Sequence, residues 1–103
     1  MPAVIEYNMR TKPEFFDEVL DAYVAFADDF GMANPTEDLI LVTADRRRQI
    51  VRGIGVFESA GEALDVDHAV MFERFRENVA HMLTEVPERE ELELVHVFVK
   101  AVD

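Results

Sequence analysis

The chain has 103 residues, half of them hydrophobic, and sets 22 acidic against 10 basic side chains for a net charge of −12. That length supports one small core and hence a single domain over residues 1–103, while the acidic surplus repels nucleic acid and anionic membrane surfaces and argues against either as a partner. The absence of cysteine excludes disulfides and thiolate chemistry; with no apolar run near the roughly 18 residues that span a bilayer, and no basic and apolar leader, a cytoplasmic location is the expectation.

Residues 3 to 10 alternate as a strand, with Val4, Glu6, Asn8 and Arg10 on one face and Ile5, Tyr7 and Met9 on the other. Thr11-Lys-Pro-Glu14 has the spacing of a capping box, with Pro13 in the first turn where its missing N–H costs nothing. A helix to about Phe30 follows, because Phe16, Val19, Leu20, Tyr23, Ala27 and Phe30 keep the helical period. Gly31 is expected to end it as the residue after the cap. After a polar connection containing Asn34-Pro35, Asp38 to Ala44 reads as a second strand, and Asp45-Arg-Arg-Arg48 as a charged hairpin turn. That turn is either a solvated tip or a site for anions or intersubunit ion pairs.

Gln49 to Glu58 is the third strand, dominated by β-branched and aromatic residues. Ser59-Ala-Gly-Glu62 repeats the capping-box spacing. From His68 the residues His68, Phe72, Phe75, Val79 and Met82 recur at steps of four and three, so a second helix should lay one narrow apolar stripe on the sheet. Pro87 to Glu91 reads as a polar loop, and Leu92 to Val102 as a closing strand with apolar residues on both faces.

The order β-α-β-β-α-β predicts an α+β, ferredoxin-like fold: a four-stranded antiparallel sheet with two helices on one face. Three of the strands carry apolar residues on both sides, so the face left bare by the helices needs a cover. The expected cover is a second copy of the chain, sheet against sheet in a homodimer.

Several polar groups sit within otherwise apolar elements, and each has a bland reading. Asn8 is either a strand-end residue serving the backbone or part of a site; His96, between Leu94 and Phe98 in its face, is either a satisfied interface histidine or a reactive one. His68 opens the inward stripe, where a pocket mouth would lie. Tyr7 and Tyr23 read mainly as core aromatics whose hydroxyls need partners. Arg52 needs a carboxylate if buried, with Glu6 the candidate. Gly53 and Gly55 leave one face of the third strand without side-chain volume, so either a helix packs closely there or a cavity opens. His68, His81 and His96 have no spacing that makes a metal-ligand set, and no metal is expected.

The long hairpin Leu39 to Glu58, the strand end Gly55-Val-Phe-Glu-Ser59, and the helix Phe72-Glu-Arg-Phe-Arg-Glu-Asn-Val-Ala-His-Met-Leu83 together resemble the antibiotic biosynthesis monooxygenase family of the dimeric α/β barrel superfamily. Phe57 stands where better-known members carry a Trp. The haem-degrading branch of that superfamily resembles this chain in an Asn on the first strand, matched by Asn8, and a His on the second helix, to which His81 is nearest. The resemblance implies either a cofactor-independent monooxygenase of an aromatic or polyketide-like small molecule, or a non-catalytic small-ligand-binding or structural dimer with the same fold. For the enzyme, the expected pocket lies between the sheet and the second helix. Tyr7, Gly53, Gly55, Phe57, Phe72 and Phe75 would hold an apolar or aromatic ligand there, and Asn8, His68 or His96 would act on a phenolic oxygen. A neutral histidine suits the role of base because its ordinary pKa is about 6.5.

Overall fold

Burial alternates with a period of two along the central strands of the computed structural model, which describes residues 3–33, 37–57, 70–98 and 100. On β1 (Ala3–Arg10) the odd positions Ala3, Ile5, Tyr7 and Met9 are buried, and on β3 (Ile50–Phe57) Val51, Gly53, Gly55 and Phe57 are. Together with β2 (Glu37–Asp45) and β4 (Glu88–Glu93) they form one antiparallel sheet in the order β2-β3-β1-β4. Two helices, α1 (Phe16–Ala33) and α2 (Val70–Val79), lie on the face those buried residues share. The fold is the ferredoxin-like α+β arrangement that the element order predicts.

The core forms between that face and the two helix stripes. Phe16, Val19, Tyr23, Ala27 and Phe30 of α1, and Phe72, Phe75 and Val79 of α2 with Met82 just beyond it, are all buried, as their helical spacing requires. At its centre the aromatic rings pack edge to face or stacked: Phe26 on Phe75 at 4.9 Å, Tyr23 on Phe75 at 5.2 Å and Tyr7 on Phe72 at 5.2 Å between centroids. Such pairs each contribute about 0.5–1.5 kcal/mol beyond their buried area.

Three local expectations are corrected. Thr11 does not cap a helix: Lys12 is the N-cap of a 3₁₀ turn over Pro13–Phe15, without a side-chain cap hydrogen bond. Thr11 is instead 2% exposed and bridges to Leu83, its N–H donating to the Gln49 carbonyl at 2.9 Å. Tertiary pairing therefore overrides the local capping option. Gly31 does not end α1, which continues to Ala33 with Gly31 helical and no glycine at positive φ among the described residues. A Cβ at Gly31 would sit 3.4 Å from the Ile40 side chain of β2, an ordinary contact, so packing there does not itself require glycine. The closing strand begins earlier than expected. Glu88 to Glu93 pairs with β1, while Leu94 to Phe98 is outside the sheet, with Val95 and Phe98 more than three-quarters exposed. The Ser59–Glu62 capping box and His68 lie outside the described residues.

The hairpin between β2 and β3 closes with Gln49 at φ 61°, a conformation unusual for a residue other than glycine. Its side-chain amide donates to the Arg46 carbonyl at 2.8 Å, and the Arg48 N–H donates to Asp45 Oδ1 at 3.0 Å. These two bonds hold the turn that displays Arg46, Arg47 and Arg48.

Candidate functional site

Because directly paired residues of an antiparallel sheet point to the same side, the register fixes which side chains meet. On the helix-covered face, Val42, Gly53, Tyr7 and Arg89 form one row across all four strands. Tyr23 of α1 lies over Gly53 so closely that a Cβ there would overlap its hydroxyl and ring. The missing side chain of Gly53 is thus the space that a helix residue occupies, the first of the two alternatives its sequence left open. Phe72 meets the Tyr7 ring and Phe75 meets the Tyr23 ring. Two phenol side chains are in this way set into an aromatic wall, beside a guanidinium on the neighbouring strand.

Arg89 is the member of this row that sequence reasoning missed, because residues 87 to 91 read as a loop. Its side chain is 28% exposed, its Nε and Nη2 are buried, and its Nη1 lies 3.8 Å from Glu91. No hydrophobic signal could have found it. Only counting the register of a fourth strand against Tyr7 places it on this face.

The sequence-predicted residues divide between the two faces. Tyr7, Gly53, Gly55, Phe57, Phe72 and Phe75 are all buried on the helix side, in or beside the aromatic wall. Asn8 is on the opposite face, accepting a hydrogen bond from Arg52 Nε at 2.5 Å through its Oδ1. Arg52 Nε also lies 3.1 Å from Glu6, the carboxylate partner its position in a strand calls for. The three side chains form a half-buried polar knot that holds Arg52 in place. His96 is exposed on the segment after β4. His81 is exposed as well, with its ring against Phe15 at 5.7 Å and its carbonyl accepting from Lys12 Nζ at 2.8 Å. Among the described residues no cluster of three His, Asp or Glu side chains has the arrangement of a metal site.

The bare face grades from apolar to polar along the strands. One row is Leu39, Val56, Val4 and Leu92; the next is Leu41, Ile54, Glu6 and Glu90; the third is Thr43, Arg52, Asn8 and Glu88. At the polar end a cavity of about 180 Å³ is lined by Asn8, Arg10, Ile50, Arg52, Glu85, Val86 and Glu88.

No family model matches the sequence and no curated protein matches it. Solved structures do. The fold is that of the antibiotic biosynthesis monooxygenases. A Caulobacter crescentus CB15 protein named as a candidate antibiotic biosynthesis monooxygenase superposes with a TM-score of 0.82 at 11% identity, over 92% of this chain and 91% of its own. A structure named antibiotic biosynthesis monooxygenase superposes with a TM-score of 0.78 at 16% identity, over 93% of this chain and 100% of its own. A Nitrosomonas europaea protein of unknown function gives 0.82 at 14% identity, over 97% of this chain and 95% of its own. At such identities the antibiotic biosynthesis monooxygenase likeness fixes the architecture. Chemistry has to be argued from the side chains. Among the described residues no helix is long and apolar enough to cross a membrane.

Proposed function

We propose that the protein is a cofactor-independent monooxygenase of an electron-rich aromatic or polyketide-like small molecule, working as a homodimer. The observation that carries this reading is the Gly53-Tyr7-Arg89 row beneath Tyr23, walled by Phe72 and Phe75. A phenol or enol becomes reactive toward oxygen once deprotonated, and the resulting oxyanion needs donors in a dry setting. The Tyr7 and Tyr23 hydroxyls and the permanently charged Arg89 are such donors, and the phenylalanine rings suit a flat apolar ligand. For an activated methylene, oxygenation to a ketone takes up one O₂: one oxygen atom enters the product and the other leaves as water with the two methylene hydrogens. The substrate supplies every electron, so the protein's share is binding, proton removal and exclusion of bulk water. His68 is the candidate base. Asn8 on the bare face and His96 on the exposed segment are assigned no direct part.

The test is oxygen uptake with phenols and anthrone-like compounds, without added cofactor. Arg89→Gln and Tyr7→Phe are expected to lower turnover by roughly 10²-fold each, the scale on which a lost oxyanion donor acts. Asn8→Ala should leave it within about twofold, since its face is turned away from the row. Turnover untouched by Arg89→Gln would move the chemistry elsewhere.

The second reading, a non-catalytic ligand-binding or structural dimer, is favoured by the close fit of Tyr23 over Gly53 and the ring stacking around it, which fill the space a substrate would need. Neither oxygen uptake nor binding of any aromatic compound in that panel would decide for it.

A further inference from the structure

We propose that the cleft at the polar end of the bare sheet face binds a small organic monocarboxylate, held between the guanidinium groups of Arg10 and Arg52. Its walls come from one chain, so the site needs neither a second copy nor the monooxygenase reading, and it lies across the sheet from the aromatic wall. In the register of β1 with β3, Asn8 pairs with Arg52 and Arg10 with Ile50. Arg10 and Arg52 are therefore diagonal neighbours on one face, within mutual reach for long side chains and unfavourable for two like charges. Each is neutralised along one edge: Arg10 Nε lies 3.1 Å from Glu85 and Arg52 Nε 3.1 Å from Glu6, with Asn8 as a further acceptor for Arg52. Those contacts use only Nε. Among the described residues, the Nη1 and Nη2 groups of both arginines have no hydrogen-bond or ion-pair partner.

The surrounding chain fixes this arrangement. The Thr84 N–H and hydroxyl both donate to the Arg10 carbonyl, at 2.9 and 3.3 Å, which holds the segment beside β1 that puts Glu85 and Val86 on the cleft wall. The fork of a guanidinium matches the two oxygens of a carboxylate. Glu85 and Glu88 share the wall, so a dianion such as phosphate meets more repulsion there than a monoanion does. Ile50 and the 84%-exposed Val86 offer hydrocarbon to the acid's chain. At about 180 Å³ the cleft is smaller than the roughly 300–1,000 Å³ of drug-sized pockets, which limits the ligand to a short acid. Arg52 and Asn8 stand four residues, roughly 14 Å, along their strands from Val56 and Val4 of the fully apolar row. A contact centred on that row leaves the cleft at its margin.

Titration with butyrate, followed by heteronuclear NMR at the backbone and Nε resonances of Arg10 and Arg52, tests the site, with inorganic phosphate titrated in parallel. Butyrate is expected to bind once per chain with a Kd of about 1 mM, and phosphate at least roughly fivefold more weakly. Arg10→Gln, at a half-exposed side chain outside the core, should weaken butyrate roughly tenfold, the scale of lost charge-assisted hydrogen bonds. Arg52→Lys keeps a cation beside Glu6 while removing the fork, and should also weaken it severalfold. Glu88→Gln removes a repelling carboxylate and should tighten butyrate a few-fold and phosphate by more. Arg74→Gln removes a positive charge from the exposed side of α2 and should change nothing. The proposal is overturned by an absence of shifts at Arg10 and Arg52 up to about 20 mM butyrate, by phosphate binding as tightly as butyrate, or by butyrate affinity that Arg10→Gln or Arg52→Lys leaves untouched. None of these results bears on oxygen uptake, which reads the opposite face.

Discussion

Gly53 and Tyr23 form one structural unit although thirty residues of chain separate them. The glycine is buried on the strand between β1 and β2, and the tyrosine ring uses the volume its side chain leaves empty. Adding one methyl group at Gly53 forces the ring and hydroxyl to move within a wall of Phe26 and Phe75. Gly53→Ala is therefore expected to lower stability by about 1–3 kcal/mol, the usual cost of overpacking, and urea unfolding monitored by tyrosine fluorescence would measure it. An unchanged midpoint would mean that Tyr23 has another place to go. Arg52 illustrates a different residue-scale rule. A guanidinium in the middle of a strand is tolerable because Glu6 and Asn8, adjacent on β1, both reach its Nε. Its need for a carboxylate such as Glu6 was legible from its place within a strand; the role of Asn8 as the second partner was not, since a lone asparagine carries no periodic signal.

At the scale of elements, the parts with strong periodicity were legible and the parts defined by tertiary pairing were not. The α2 stripe Phe72, Phe75, Val79 and Met82 is buried as spaced, and the two faces of β1 separate as their alternation demands. By contrast, β4 is Glu-Arg-Glu-Glu-Leu-Glu, a composition that reads as loop yet forms an edge strand, where the exposed glutamates guard against edge-to-edge association. The neighbouring Leu94 to Phe98, with far better strand formers, is left out of the sheet, because β-propensity expresses fit to a packed surface and that stretch has none beneath it in the single chain. Missing β4 also hid Arg89, the charged member of the Val42-Gly53-Tyr7-Arg89 row, which was therefore out of reach of periodicity. The energetic weight of the aromatic wall makes a sharp test of α2. Phe75 touches both Tyr23 and Phe26, and Phe75→Ala should cost about 3–5 kcal/mol by thermal or denaturant unfolding. In a domain whose total stability is on the order of 5–15 kcal/mol, that loss is a large share of the whole.

For the whole molecule, the question is what covers the second face of the sheet. Leu39 and Leu41 on β2 are 49% and 47% exposed, and with Val4, Ile54, Val56 and Leu92 they make a continuous apolar patch over all four strands. The helices cannot reach it, since both are committed to the opposite face. A charge placed at the centre of this patch tests the cover directly: Leu41→Asp puts a carboxylate beside Ile54 with no cationic partner in its row, whose remaining members are Glu6 and Glu90. If the patch is buried by a second copy, each dimer would enclose two unpaired carboxylates, at several kcal/mol apiece, and the variant should sediment as a monomer at concentrations where the parent is dimeric. Its fold should survive, because residue 41 is half exposed in the single chain and makes no part of the helix-side core. Circular dichroism would separate the two effects. A Leu41→Asp protein that keeps both its helical signal and the parent's dimer mass would place the interface elsewhere, and with it the reason for two apolar faces on one sheet.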